Sequence, residues 1–308
     1  MPQELTEFLQ QLFNALMISG VYALVALGIT VIFGLTGIVK FSIGELLTLG
    51  AFLTFTFADN DRLTFLPAVP PFPAFFVAVF LAALAIAALS LLLERAAFRF
   101  TLDQPINGFI VSLGLILVLQ NLVIEYWGTE QRGIQPPSLL AGVWELGGVR
   151  MPVERWFVVW VTVGLIAALF LGLRFTRHGR ALRACAEDRD AAALMGIPVN
   201  WVIAGTFALG GALAATAGGL LASVFPITPY TGTQYLLKGF AVALVGGLGN
   251  IEGAVVAALL VGTTETMGAA YLAGEWRDAY TFGLMILILL ARPTGLFQAR
   301  GRLQETLQ

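Results

Sequence analysis

The chain has 308 residues, 58% of them hydrophobic and only 12% charged, and its mean hydropathy is +0.86. A soluble domain of this length carries about twice that charge fraction, and a transmembrane barrel shows weak alternating segments of about ten residues, so composition points away from both and toward an all-α polytopic membrane protein. The formal net charge of −2 selects no partner, and the single cysteine, Cys185, excludes a disulfide framework and a thiolate metal site.

A membrane span needs about 20 mostly apolar residues. In chain order, such runs fall at 8–34, 41–58, 72–93, 108–127, 156–173, 201–225, 236–268 and 280–291. The first is preceded by Glu4 and Glu7 and no base, unlike the basic leader of a secretory signal, so it is expected to be a span. Loop arginines set the orientation. Arg95 and Arg99, then Arg174, Arg177, Arg180, Arg183 and Arg189, and finally Arg292, Arg300 and Arg302 place the 94–105 loop, the 174–200 loop and the C-terminal tail in the cytoplasm. The acidic, proline-rich 59–71 loop and the uncharged 226–235 loop suit the outside, while 128–155 carries equal acids and bases and votes weakly.

Parity then constrains the 236–268 run. It must cross an even number of times to leave the tail in the cytoplasm, and its middle reads GGLGNIEG over 246–253. Two crossings, or a hairpin, joined at these glycines satisfy the count. Non-helical backbone at membrane depth survives only where protein or water surrounds it. The expectation is eight to nine segments, with the N-terminus outside and the C-terminus inside.

The one long charged stretch is RALRACAEDRDAAALMGIPV over 180–199. Arg177, Arg180 and Arg183 fall three apart on one helical face, Gly196 suits a C′ position, and Pro198 forbids continuation. This predicts one helix of about four turns. Its Asp190-Ala191-Ala192-x-x-x-Gly196 pattern resembles the E-A-A-x-x-x-G coupling loop of ABC importers, with Asp for Glu. Three further stretches follow the same family order. GLTGIVKFSIGELLTLGAF over 34–52 looks like the G-x-x-N-F-x-x-G-E signature of branched-chain amino-acid ABC-transporter permeases. GGLGNIEGAVVAALLVG over 246–262 and RPTGLF from Arg292 also match. Across essentially its whole length the chain resembles a LivH-type permease. Ser42 and Ile43 stand where many relatives carry Ala-His, which removes an imidazole beside Glu45.

The resemblance implies an ABC importer permease fold. Residues 1–308 would form a single transmembrane permease domain of a bacterial inner membrane, with 174–200 as its coupling loop. It implies a second homologous permease, two cytoplasmic ABC ATPases and a periplasmic substrate-binding protein as partners, with no nucleic acid. The cargo would be branched-chain aliphatic amino acids. Coupling to the ATPase would fall to Arg183, Glu187, Asp190, Ala191, Ala192 and Gly196. Pathway candidates are Ser42, Gly44 and Glu45, with Asn14 and the glycines Gly246, Gly247 and Gly249. No cofactor or metal is expected on this chain, and no catalytic residue. Neither Lys40 nor Lys238 follows a glycine as a Walker A loop requires, so ATP would be used by separate subunits.

Polar residues within the runs admit two readings. Glu45 is either a helix-start acid bonded to backbone amides or a pathway residue. Glu265 is either an interhelical hydrogen-bond centre or a substrate contact, and Asn14, Gln120 and Asn121 are equally open. A gradient-driven secondary carrier would also explain the spans and Glu45, but no inverted repeat is visible. The same ABC architecture could serve urea, amides or other amino acids. A membrane-embedded enzyme would need convergent His, Cys or carboxylate groups, and His178 with Cys185 in one basic loop do not supply them.

Overall fold

The computed structural model describes residues 3–58, 71–102, 104–134, 142–146 and 149–297. Helix α1 (Gln3–Thr36) is followed by α2 (Ile43–Ala58), α3 (Pro71–Ala96), a 3₁₀ turn (Phe98–Thr101) and α4 (Pro105–Trp127). A hairpin of β1 (Val143–Leu146) and β2 (Val149–Pro152) leads into α5 (Val153–Phe175), α6 (Arg177–Glu187) and α7 (Arg189–Leu194). The chain continues through α8 (Val199–Ala222), α9 (Thr231–Gly246), α10 (Ile251–Tyr271), a second 3₁₀ turn (Gly274–Trp276) and α11 (Arg277–Ala291).

The architecture is all-α and polytopic. Among the described residues six helices, α1, α3, α4, α5, α8 and α10, are long and apolar enough to cross a membrane, not the eight or nine expected. The shortfall lies in α2, α9 and α11, which have 16, 16 and 15 residues. The hairpin was not anticipated. The acidic 59–70 stretch and the arginines beyond 297 lie outside the described residues.

The bundle centres on α1, α2 and α8. In α1, 83% of the most apolar window is buried, against 17% in α5, so α1 is core and α5 is shell. Residues 43–52 of α2 are all buried. Small residues set the helix spacing: Gly50 lies on Ala215, Gly218 on the Leu47 carbonyl and Gly28 on the Gly210 carbonyl. A side chain at Gly218 would meet backbone and push α2 and α8 apart.

No tight turn joins α1 to α2. Gly37, at φ +69°, ends α1 with its N–H on the Phe33 carbonyl, and the chain then runs irregularly to Ser42. Helix α2 starts level with Gly28, whose added Cβ would touch Ile43. That is eight residues before the end of α1, or roughly 12 Å back along its axis. The 37–42 segment therefore turns back into the bundle, and protein satisfies its backbone: Ile38 N–H donates to Thr36 Oγ1 (3.2 Å) and Ser42 N–H to Ser112 Oγ (2.8 Å).

The 236–268 run is two helices, α9 and α10. Gly247 (φ +95°) and Gly249 (φ +87°) turn the chain, and the Asn250 side chain caps α10 by accepting from Gly253 N–H at 2.9 Å. Leu296 N–H donates to the Val245 carbonyl at 2.8 Å, which clasps the turn.

The charged stretch departs from the single helix expected over 180–196. It is broken at Asp188, whose extended backbone (φ −151°, ψ 118°) lets its carboxylate accept from Asp190 N–H (2.8 Å) and Ala191 N–H (3.0 Å). An N-cap there starts α7 in a new direction. Gly196, at φ +81°, ends α7 with paired bonds from Gly196 N–H to Ala193 O and from Ile197 N–H to Ala192 O.

The two ends of the bundle differ. At the arginine-rich end, α6 packs against α1, Gly34 lies on Gly249, and the Arg95 guanidinium covers the Trp201 ring at 4.5 Å. At the hairpin end, Trp127 Nε1 donates to Thr56 Oγ1 (2.8 Å), Arg155 donates to Asn14 Oδ1 (2.6 Å), and Arg132 pairs with Ile227.

Candidate functional site

Helix α2 begins inside the bundle with an acid in its first turn. Glu45 is fully buried. Its Oε1 accepts from Thr233 Oγ1 at 3.1 Å, and among the described residues its Oε2 has no hydrogen-bond partner. The bond expected to backbone amides is replaced by one to a side chain of α9, 188 positions away in sequence. Gly44 explains how α9 comes so close: a Cβ there would collide with the Gly232 carbonyl and Leu236. The first turns of α2 and α9 thus cross backbone to backbone. Both present helix N-termini, whose dipoles favour negative charge.

Hydroxyls and rings cluster on the neighbouring residues at the start of α2. Ser42 Oγ is buried without a partner among the described residues, Thr48 Oγ1 donates to the Gly44 carbonyl, and Ser112 reaches in from α4. Phe41 packs against Phe109 of α4 (centroids 5.3 Å apart) and Phe240 of α9 (5.0 Å). One buried carboxylate, several hydroxyls and an apolar wall are thus gathered at the start of α2. Just before it, the Lys40 ammonium is buried 4.9 Å from the Phe207 centroid and 5.4 Å from that of Phe98, and has no hydrogen-bond partner among the described residues.

The pathway candidates drawn from sequence divide among three places. Ser42, Gly44 and Glu45 are together at the start of α2. Asn14 sits at the hairpin end, bonded to Gln11 and Arg155. Gly246, Gly247 and Gly249 are at the arginine-rich end, packed against Gly253, the Phe297 carbonyl and Gly34 respectively. Glu265 is an interhelical hub. Tyr22 Oη donates to both of its oxygens (3.0 and 2.9 Å), Lys238 Nζ (2.9 Å) and the Arg277 guanidinium donate to Oε1, and Thr281 Oγ1 donates to Oε2 at 2.8 Å. Lys238 also pairs with Asp278 at 2.9 Å. Four helices meet on that carboxylate.

At the arginine-rich end, Arg183 donates to the Leu173 carbonyl and braces α6 on α5. Glu187, Asp190, Ala191 and Gly196 are exposed, whereas Ala192 is buried. The α7 tip is apolar and open: Leu194 is 89% and Met195 82% exposed. Cys185 of α6 is buried, and burial pushes its thiol above the ordinary range, with nearby Arg189 opposing. Arg189 itself carries a connection that sequence reasoning missed. Its Nε (3.2 Å) and Nη2 (2.5 Å) both donate to the Leu35 carbonyl, two residues before Gly37. Thr233 and Ser112 were missed as well, because their partners are distant in sequence.

A polytopic helical bundle with a broken, acid-bearing segment inside it and an exposed helical knob at one end has the build of a membrane permease. Residues 11–289 match the family described as branched-chain amino acid transport system / permease component, and the chain belongs to that family. It is 35% identical over 304 residues to the high-affinity branched-chain amino acid transport system permease protein LivH of Salmonella typhimurium, covering 96% of this chain and 97% of that one. It is also 35% identical to the corresponding BraD protein of Pseudomonas aeruginosa, covering 95% and 96%. Similarity extends to the ribose import permease protein RbsC of Escherichia coli, at 27% identity over 82% of this chain and 76% of that one.

Proposed function

We propose that this chain is the membrane-spanning subunit of an ATP-driven importer in a bacterial inner membrane. It moves branched-chain aliphatic amino acids handed over by a periplasmic binding protein, beside a second homologous permease and above two cytoplasmic ABC ATPases that consume the ATP. In this reading α2, α9 and α11 join the six long helices as nine segments. The hairpin end faces the periplasm, and the arginine-rich end, with the C-terminus, faces the cytoplasm, as the loop arginines favour.

The observation that carries the reading is the grip of Arg189 on the Leu35 carbonyl. The α7 knob offers Leu194 and Met195 to an ATPase surface, and Arg189 ties the same helix to the end of α1. The next residues form the irregular 37–42 segment, which ends at Ser42, Gly44 and Glu45. A push on α7 therefore has a short route to the start of α2. Differential contact of α7 with the two nucleotide states of the ATPase supplies the energy for that shift.

The test is co-expression with the partner permease and ATPases, comparing wild type and Gly196→Arg. Arginine cannot hold φ +81° without strain and adds bulk at the knob. ATPase capture and ATP-dependent uptake in vesicles should both be lost while membrane insertion is kept. Unchanged capture and uptake would remove the coupling role.

A further inference from the structure

The outward faces of the shell helices differ in chemistry. On α3 the exposed side chains within the span are apolar, including Phe80, Leu84 and Leu92. On α5 they include Trp160, Val163 and Leu171, with small residues between. Both faces suit acyl chains. Helix α4 also exposes apolar side chains, among them Ile110, Leu117 and Val118, but adds polar groups to them. Its exposed face carries Asn107, Gly114, Asn121 and Glu125, spaced by seven, seven and four residues and hence on one line. Asn121 lies six residues, roughly 9 Å, inside the Trp127 end. Its amide donates to Leu117 O one turn back (2.7 Å), and among the described residues nothing bonds its side-chain oxygen. A primary amide at that depth faces protein or water in preference to lipid. Gly114, midway along, would find nothing within 4 Å of an added Cβ, as would Gly164 on α5, so another helix can approach closely at either, and it is the polar side chains that set α4 apart.

The inner side of α4 belongs to the site. Ser112 holds Ser42 and Phe109 packs on Phe41. A neighbour on the outer side of α4 would lie one helix away from Glu45. We propose that the α4 face carrying Asn107, Gly114, Asn121 and Glu125 is the seam against the second permease, and that the α3 and α5 faces meet lipid. Asn107 and Asn121 lie fourteen positions, two heptads, apart on this line, and a polar side chain on a seam specifies register between paired helices, as a buried Asn does in coiled coils. The assignment rests on the paired-permease reading above.

The experiment uses the co-expressed complex in native membranes. A photo-crosslinking amino acid replaces Val118 on the α4 face, Leu84 on α3 or Val163 on α5, adducts are identified by mass, and native mass spectrometry counts the permease chains. The expected result is an adduct to the second permease from position 118 and none from 84 or 163. Asn121→Leu should also lower recovery of the second permease in detergent, by roughly threefold to tenfold for one lost interhelical hydrogen bond. Two permeases joined by adducts from 84 or 163, with none from 118, would overturn the seam and leave the pairing intact. A complex holding one permease chain would overturn the pairing, and the seam with it.

Discussion

Glu45 and Glu265 are both fully buried, yet their surroundings are opposite. Glu265 receives hydrogen bonds from Tyr22, Lys238, Arg277 and Thr281, while Glu45 receives one, from Thr233. Converting Glu265 to Gln leaves Lys238 and Arg277 without their shared anion. Removing one partner of a buried ion pair costs about 3–5 kcal/mol, and here about 2 kcal/mol is expected because Arg277 is partly exposed. Glu45→Gln removes a poorly satisfied buried acid and should raise stability by roughly 1 kcal/mol. Thermal unfolding in detergent should therefore move down for Glu265→Gln and up for Glu45→Gln, with uptake falling in the second despite its greater stability. A Glu45→Gln variant that is destabilised, or transports at the wild-type rate, would remove Glu45 from the pathway. The two acids looked alike in sequence because the partners that separate them lie on other helices.

At the scale of elements, apolar run length located the long helices well, since burial in a bilayer imposes it directly. It could not reveal that α2 starts beside Gly28, because helix depth depends on the packing of Gly44 on Gly232 and of Gly50 on Ala215. The α6–α7 break was legible in principle. Asp188 followed by Asp190 is an N-cap signature, but the three-residue spacing of arginines suggested one continuous helix. The hairpin had a signal too, VWEL and VRMP around a Gly-Gly pair, which a search for spans passes over. The Asp188 cap has a measurable consequence. Buried Cys185 should react slowly with a maleimide in the native protein. Asp188→Ala, losing about 1 kcal/mol of capping, should speed labelling about fivefold through local opening. Equal rates in the two proteins would show that the cap does not hold α6 and α7 in place.

The whole molecule places its knob and its buried acid far apart in sequence but joins them by few residues. Arg189→Ala leaves Leu194, Met195 and Gly196 in place, so ATPase capture should survive while the ratio of uptake to ATP hydrolysed falls about tenfold, the loss expected for a charge-assisted hydrogen bond of about 1.5 kcal/mol. Reconstituted vesicles with both quantities measured decide it, and an unchanged ratio would mean that α7 signals by another route. Arg189→Lys, with a single point charge in place of a two-donor fork, should fall between. Sequence located the charged helical stretch and the glycine-bearing break but not the carbonyl at Leu35, since any residue supplies one.

The clasp between Leu296 and Val245 bears on how the chain is made. Synthesis runs from the N-terminus, so α9 and α10 leave the ribosome before the strap that closes their turn. Until residue 296 is free, the Val245 carbonyl and the space beside Gly247 are open to solvent and to other chains. A stretch translated after the turn is thus its seal, and a bulky insertion placed immediately after Phe297 would be felt at a turn fifty residues upstream.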